Sequence, residues 1–243
     1  MRLLTWSINN RARPKRIPPE LTQAIHRLKP DVAVLTEYVH GPSEDRFLCD
    51  LKNIGLSHTC VSSNSPGQNQ VLIAAGHRLE EGDIRAPAIH ESAPSNALHV
   101  CLPGVDLEIL GLRVPDFSRE PPLRRRFWDW ILKTACAVQE RPFVILGDFN
   151  TDPSYPPARC GDRFDILAAM GWRHAPSGPT FWTPRGHAVR IDHAFVSKDL
   201  TIGGSLAVRS DGPFVFAGKG GGALSDHAAL WVDITGCPAL PKL

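Results

Sequence analysis

The sequence predicts an α/β protein in which two β-sheets form the core and helices pack outside. Three observations carry that expectation. Apolar segments of strand length recur along most of the chain, with few helical stretches between them. Some of these segments are continuous apolar runs and others alternate, a mixture that suits a two-sheet core with helices against it. The 243 residues contain no internal repeat and no linker stretch, so one domain over 1–243 is expected.

Taken in order, Leu3 to Ile8 reads as the first strand. Pro18-Pro19-Glu20 opens a helix that runs to Leu28, with Leu21, Ile25 and Leu28 on one face. Pro30 stops it, and Asp31 to Leu35 is a buried strand. Phe47, Leu48 and Leu51 mark a second helix that ends near Gly55. Val71–Ala75, Ala97–Leu102 and Leu107–Val114 are strands separated by turn residues. Pro121 to Val138 is the longest helix, with Phe127, Trp130, Ile131 and Ala135 as its core stripe. Phe143–Leu146 is a strand that runs into Gly147-Asp148-Phe149-Asn150. Phe164–Met170 is a short helix closed by Gly171. Thr180–Trp182, Ile191–Val196, Leu206–Arg209 and Ala228–Ile234 are the remaining strands.

Composition excludes several classes. Apolar residues make up 42% and charged residues 21%, an ordinary globular balance. A formal net charge of +2 does not by itself argue for nucleic acid. The cations are unevenly chosen, 20 Arg against 7 Lys, and arginine forks suit phosphate oxygens. Arg11, Arg13, Lys15 and Arg16 form one cluster and Arg124, Arg125 and Arg126 another; a solvated face is as good a reading of each. No apolar run approaches the roughly 20 residues of a membrane span, and Arg2–Trp6 is too short for a signal-peptide core. The six cysteines form no C-x-x-C pair and no structural-zinc spacing. They read as reduced, mostly buried small hydrophobes of a cytoplasmic protein.

The informative residues are polar groups that end or interrupt strands. Asn9 follows the first strand, Glu37 ends another, and Asp148 and Asn150 end a third. Asp192 lies inside an apolar strand, and Asp226-His227 precede the last one. Each alone has a plain explanation: Asn9 a turn residue, Glu37 a surface acid, Asp192 a partner for Arg190. Together they are several acids with Asn and His at strand ends. Buried acids without compensation are costly, and a divalent cation with a phosphate would account for them.

Trp6-Ser7-Ile8-Asn9, Thr36-Glu37, Gly147-Asp148-Phe149-Asn150, Arg190-Ile191-Asp192 and Ser225-Asp226-His227 occur in the order and spacing of the endonuclease/exonuclease/phosphatase superfamily, which this chain resembles from residue 6 to residue 227. The resemblance implies a four-layer α/β sandwich, two packed, mainly antiparallel β-sheets flanked by helices, with the site at one rim. It implies that Glu37 is the principal metal ligand, that Asn9 and Asp226 lie at the metal, and that the metal is Mg²⁺ or Mn²⁺, which prefer such oxygen donors. His227 corresponds to the histidine beside the scissile phosphate and Asp192 to the acid that orients it. Asp148 is placed to orient or deprotonate the attacking water, and Asn150 to bond the phosphate or that water. The implied chemistry is in-line attack on phosphorus.

The departures bear on specificity. Ser7 stands where the first motif commonly has Asn, and it is expected to bind substrate with a shorter reach. Arg113 stands where the abasic-site endonucleases commonly have Tyr, and its fork is expected to bind a phosphate; a salt bridge to Asp116 or Glu120 is the alternative. Thr180-Phe181-Trp182-Thr183 resembles that branch, but Val189 replaces its usual Trp, which counts against an abasic-sugar pocket. Gly218-Lys219-Gly220-Gly221-Gly222 reads as a mobile loop and not a P-loop. The expected function is a metal-dependent phosphodiesterase, first of all a nuclease on DNA or RNA, acting as a monomer. A phosphatase or phosphodiesterase for small or lipid phosphates is the alternative, and a catalytically weak binding protein of the same fold comes third.

Overall fold

Alternate residues of the central strands face two different cores, and this period of two builds the architecture. The structure is a computed structural model that describes residues 1–9, 17–42, 44–63, 67–116, 120–183, 186–218 and 222–236. The strands are β1 (Arg2–Ser7), β2 (Val32–Tyr38), β3 (His58–Val61), β4 (Gln70–Ala75), β5 (Glu80–Glu81), β6 (Ala97–Leu102), β7 (Leu107–Arg113), β8 (Phe143–Asp148), β9 (Arg173–His174), β10 (Phe181–Trp182), β11 (Ala188–Val189), β12 (Asp192–Val196), β13 (Thr201–Val208), β14 (Ser210–Asp211), β15 (Phe214–Val215) and β16 (Ala229–Thr235). The helices are α1 (Pro19–Leu28), α2 (Glu44–Asn53), α3 (Pro121–Val138) and α4 (Arg163–Ala169).

Two six-stranded sheets result, in the orders β13-β16-β1-β2-β4-β3 and β5-β6-β7-β8-β12-β9. Each has one parallel pair, β1 with β2 and β7 with β8, and is otherwise antiparallel. Leu3, Val32 and Val34 of the first sheet meet Val100, Ile109 and Val144 of the second in one core. The other faces carry Leu4, Trp6 and Leu35 against Leu21 and Ile25 of α1 and Phe47 and Leu51 of α2. Leu110, Ile145 and Phe195 likewise pack against Phe127 and Ile131 of α3 and Phe164 and Leu167 of α4. The order helix, sheet, sheet, helix is the four-layer sandwich expected. The parallel pairs bring the C-terminal tips of four strands, two from each sheet, to one rim.

Two expectations need correction. The stripe of α3 is buried through Trp128, not Trp130, which is only half-buried. Trp128 follows Phe127 on the inward side and donates Nε1 to Thr151 Oγ1 at 3.1 Å, which ties the chain after β8 to the helix. The described cysteines are free thiols, but only Cys160 is buried; Cys49 and Cys136 are exposed on helices. His99, Cys101 and the facing Glu108 do approach within 4.8 Å of one another, although no zinc spacing announced them. Glu108 Oε2 is 2.9 Å from His99 Nε2 and its Oε1 accepts from Arg141, so the group is a satisfied polar cluster. The first basic cluster (Arg11, Arg13, Lys15, Arg16), Cys237 and the centre of the glycine loop with Lys219 lie outside the described residues. Among the described residues no helix is long and apolar enough to cross a membrane.

Gly147 is required by a close approach. Its φ is +149°, and a Cβ there would lie 1.8 Å from the carbonyl oxygen of Leu112 on the neighbouring strand β7. Gly147→Ala must therefore push apart the strands that carry Arg113 and Asp148. A cost of at least about 1–3 kcal/mol is expected, which lowers the melting temperature by roughly 5 °C in a chain of this size. Thermal unfolding followed by circular dichroism checks this; an unchanged melting temperature would mean the strands have slack.

Candidate active site

The polar residues singled out by sequence collect where the two sheets end. β12 runs antiparallel to β8 with Asp192 directly opposite Asp148. Backbone bonds from Phe149 to Ile191 and from Val114 to Asp148, both 2.7 Å, tie the tips of β12, β8 and β7 together. Asp148 is 1% exposed, Asp192 0% and His227 5%. One donor atom from each of these three lies within 4.8 Å of the others. His227 Nδ1 is 2.8 Å from Asp192 Oδ2. Arg190, the alternative partner for Asp192, bonds instead through Nη1 to the carbonyl of Ser177.

Several buried groups hold this pair in place. Thr180 Oγ1 accepts the backbone N–H of both Ile191 and Asp192, at 3.1 and 3.0 Å. Trp6 Nε1 donates to the carbonyl of His227 at 2.8 Å. Ser225 Oγ accepts the His227 N–H and donates to the carbonyl of Ser7. The ring of Phe181 packs 5.0 Å from that of His227, centre to centre. Thr180 and Ser225 belong to the sequence motifs, but the motifs assign them no role. Their signal is position, each close beside residues that carry chemistry.

Asn9, Glu37 and Asn150 all have left-handed backbone, with φ of 48°, 56° and 46°. Asparagine tolerates this; a glutamate there costs roughly 1–3 kcal/mol. Glu37 sits where the pairing of β2 with β4 shifts register between Leu35 and Tyr38, a bulge that re-aims its side chain. Arg113 crosses from the second sheet and places Nε and Nη2 at 2.9 and 2.8 Å from Glu37 Oε1. The same Nε is 3.7 Å from Asp148 Oδ2. Of the expected alternatives for Arg113, Asp116 is bonded by Arg124. Asn69 Nδ2 also reaches Glu37, at 3.4 Å. Sequence reasoning missed Asn69; it precedes β4 on the strand beside Glu37, a neighbour that only pairing reveals.

Asn150 donates its backbone N–H to Asp148 Oδ1 at 2.8 Å, and its Nδ2 to the carbonyl of Val114 and to Asp148 Oδ2. Its amide therefore orients the aspartate. Asn9 Nδ2 donates to Asp226 Oδ1 at 3.0 Å. Glu37, Arg113, Asp148, Asn150, Asp226 and His227 share the lining of one cavity of about 520 Å³. Ser7 does not line it. Its side chain is buried beneath the rim, its hydroxyl has no hydrogen-bond partner among the described residues, and its carbonyl accepts from Ser225, which runs against the expectation that it contacts substrate. Asp152 is also outside the site; its carboxylate braces the following loop by accepting from Ser154 and the Arg190 N–H.

The donors suit a hard divalent cation. Glu37 and Asp226 offer carboxylate oxygens and Asn9 a carboxamide oxygen, the set that Mg²⁺ or Mn²⁺ prefers. Asp192 Oδ1 and Asn69 Oδ1 are buried without a hydrogen-bond partner among the described residues, so the rim holds acceptor capacity that protein donors leave unused. Protonation is strongly perturbed. Burial raises the pKa of Asp148 to about 7, against the pull of His227 and Arg113. Burial alone would lower that of His227, but the charge and hydrogen bond of Asp192, with Asp148 and Asp226 nearby, raise it to about 10.

A histidine whose folded pKa is raised contributes stability that is complete below its unfolded value near 6.5. That contribution is lost as pH rises toward 10. The melting-temperature advantage of wild type over His227→Gln should therefore shrink between pH 7 and 10. A constant difference across that window would mean that His227 is neutral in the folded protein.

A sequence profile described as the Endonuclease/Exonuclease/phosphatase family matches residues 4–227. No curated protein matches the chain. Among solved structures, an endonuclease/exonuclease/phosphatase protein from Beutenbergia cavernae is similar at 19% identity and TM-score 0.73, over 100% of this chain and 73% of that one. An AP endonuclease from Archaeoglobus fulgidus is similar at 17% identity and TM-score 0.72, over 96% and 98%. The 3′ phosphatase NExo from Neisseria, solved with a product DNA hairpin, is similar at 18% identity and TM-score 0.67, over 97% and 99%.

Proposed function

The chain belongs to the endonuclease/exonuclease/phosphatase family, and from that premise we propose that it is a divalent-metal-dependent phosphodiester hydrolase, a nuclease acting on DNA or RNA. The observation that carries this reading is the buried Asp192–His227 pair, set against Asp148 in a cavity that Glu37 and Asp226 also line. A pure binding surface has no use for three ionisable groups buried together at such cost.

In this reading the residues divide the work by protonation. Asp148, whose pKa burial raises to about 7, takes the proton of the attacking water; Asn150 holds its carboxylate in the receiving orientation. His227 is charged and stays so through its bond to Asp192, so it stabilises the negative charge that builds on the phosphoryl oxygens. Glu37, Asp226 and Asn9 are the residues that would hold the divalent cation. A cation bound there draws negative charge from the phosphate. Arg113 offsets the charge of Glu37 and Asp148 and lines the path of the scissile phosphate.

A phosphatase or small-phosphate diesterase is the second reading. The cavity of about 520 Å³ is the size of a small-molecule site, and one structural neighbour is a 3′ phosphatase. The deciding experiment incubates the purified protein with Mg²⁺ or Mn²⁺ against single- and double-stranded DNA, RNA, an abasic duplex, a bis-aryl phosphate and inositol phosphates. Cleavage of nucleic acid supports the first reading, and turnover of inositol phosphates alone supports the second.

Glu37→Gln keeps the shape and removes the charge, so most activity should be lost while circular dichroism stays unchanged. Wild type in excess chelator should be equally inactive and recover on adding Mg²⁺ or Mn²⁺. Full turnover in chelator would end the metal mechanism.

His227→Ala should lower kcat by roughly 10²–10⁴, the range for losing one positioned acid–base group. Asp192→Asn should do similar damage through His227, and the double variant should cost little more than either single one. Multiplicative losses would show that the two side chains act independently.

A further inference from the structure

One wall of the active cavity takes no part in this hydrolytic scheme. It is made by the start of α3 and by residues 151–162, and it presents Arg124, Tyr155 and Arg159. Arg124 is 6% exposed. Its Nη2 pairs with Asp116 at 3.0 Å, but its Nε has no hydrogen-bond partner among the described residues. An unsatisfied buried guanidinium N–H is costly, and this one belongs to a side chain that lines the cavity. Asp116 also lines the cavity and offsets part of this charge; its side chain is 60% exposed, so water weakens the pair. Pro121 lines the same wall, so the positive end of the α3 dipole lies there too.

Arg159 is exposed, yet it is held in position. Its Cζ lies 3.6 Å from the centre of the Tyr155 ring, a cation–π contact that restrains a long side chain. The segment that carries both residues is braced at each end. Asp152 accepts from Ser154 and from the Arg190 N–H. A Cβ on Gly161 would lie 1.9 Å from the carbonyl oxygen of Tyr155, so the segment closes tightly on itself. Restraint of this kind lowers the ordering cost that a ligand would otherwise bear.

We propose that this wall is a second anion subsite, in which Arg124 and Arg159 bind a phosphate neighbouring the one that is cleaved. The preferred substrate then carries at least two phosphates along one strand, as a single-stranded nucleic acid does. The inference rests on the phosphodiesterase reading of the cavity and adds to it a preference for a substrate with neighbouring phosphates. Two arginine forks match phosphate geometry.

The test is binding of a fluorescein-labelled single-stranded hexadeoxynucleotide in chelator, by anisotropy, across a range of NaCl concentrations. Arg159 is the residue to change because it is exposed and its loss should leave the fold intact. Arg159→Ala should weaken binding roughly tenfold at low salt and reduce the slope of log K against log salt by about 0.7, the value for one phosphate contact on a single strand. Arg159→Lys should restore the slope and only part of the affinity. A wild type that does not bind the oligonucleotide, or an Arg159→Ala protein with wild-type affinity and slope, overturns the proposal. With metal added, the ratio of kcat/KM on the oligonucleotide to that on bis(p-nitrophenyl) phosphate should fall about tenfold in Arg159→Ala, the equivalent of one charge-assisted contact. An unchanged ratio counts against the subsite. A wild type that binds oligonucleotide with the expected slope but cleaves neither substrate would defeat the hydrolase reading and leave the subsite standing.

Discussion

Burying Asp192 and His227 together removes two ionisable groups from water, and the cost is recovered only if they meet at hydrogen-bonding distance with their other demands satisfied. The 2.8 Å contact between them is reached because four separate parts of the chain converge. β12 supplies Asp192, and the residue that begins the turn into β10, Thr180, clamps the backbone on either side of it. β1 supplies Trp6 to fix the His227 carbonyl, and Ser225 ties the same segment to Ser7. The first and last strands thus meet at the site, and the pair exists only in the packed two-sheet structure.

A second constraint is the strain at the rim. Three of the site residues hold left-handed backbone, and one of them is a glutamate. Such conformations persist where surrounding structure over-determines them. Here the bulge in β2 and the bonds from Arg113 and Asn69 to Glu37 do so. Arg113 also joins the sheets electrostatically, with Glu37 on one and Asp148 on the other. Its position explains why a cation is accommodated where related endonucleases commonly place a tyrosine: two acids from different sheets face each other across it.

Acids and cations meet around the cavity, Arg113 against Glu37 and Asp148 and Arg124 against Asp116. Glu37, Asp148, Asp226 and His227 line it together with Arg124 and Arg159, which come from α3 and the segment after β8. Gly147 sets the spacing, since the absence of its side chain lets β7 and β8 approach closely enough for Arg113 and Asp148 to share the rim.

By itself the sequence determined the elements and the roster of the site. Apolar periodicity located the main strands and the four α-helices of the described residues, because burial on one face or two leaves a local signature. Asn9, Glu37, Asp148, Asn150, Asp192, Asp226 and His227 stood out because a polar residue at the end of an apolar strand breaks the local pattern. The edge strand β3 and the two-residue strands β5, β9, β11, β14 and β15 were not legible, since their pairing depends on partners and not on their own composition. Tertiary structure alone decided the rest. It buried Ser7 below the cavity, turned Arg113 onto Glu37, brought Asn69 beside it, and assembled Arg124, Tyr155 and Arg159 from two distant segments. Side-chain direction and long-range neighbours follow from how sheets stack and loops close. The charges and pKa values of a buried site depend on those neighbours at distances of a few ångströms, which no linear pattern records.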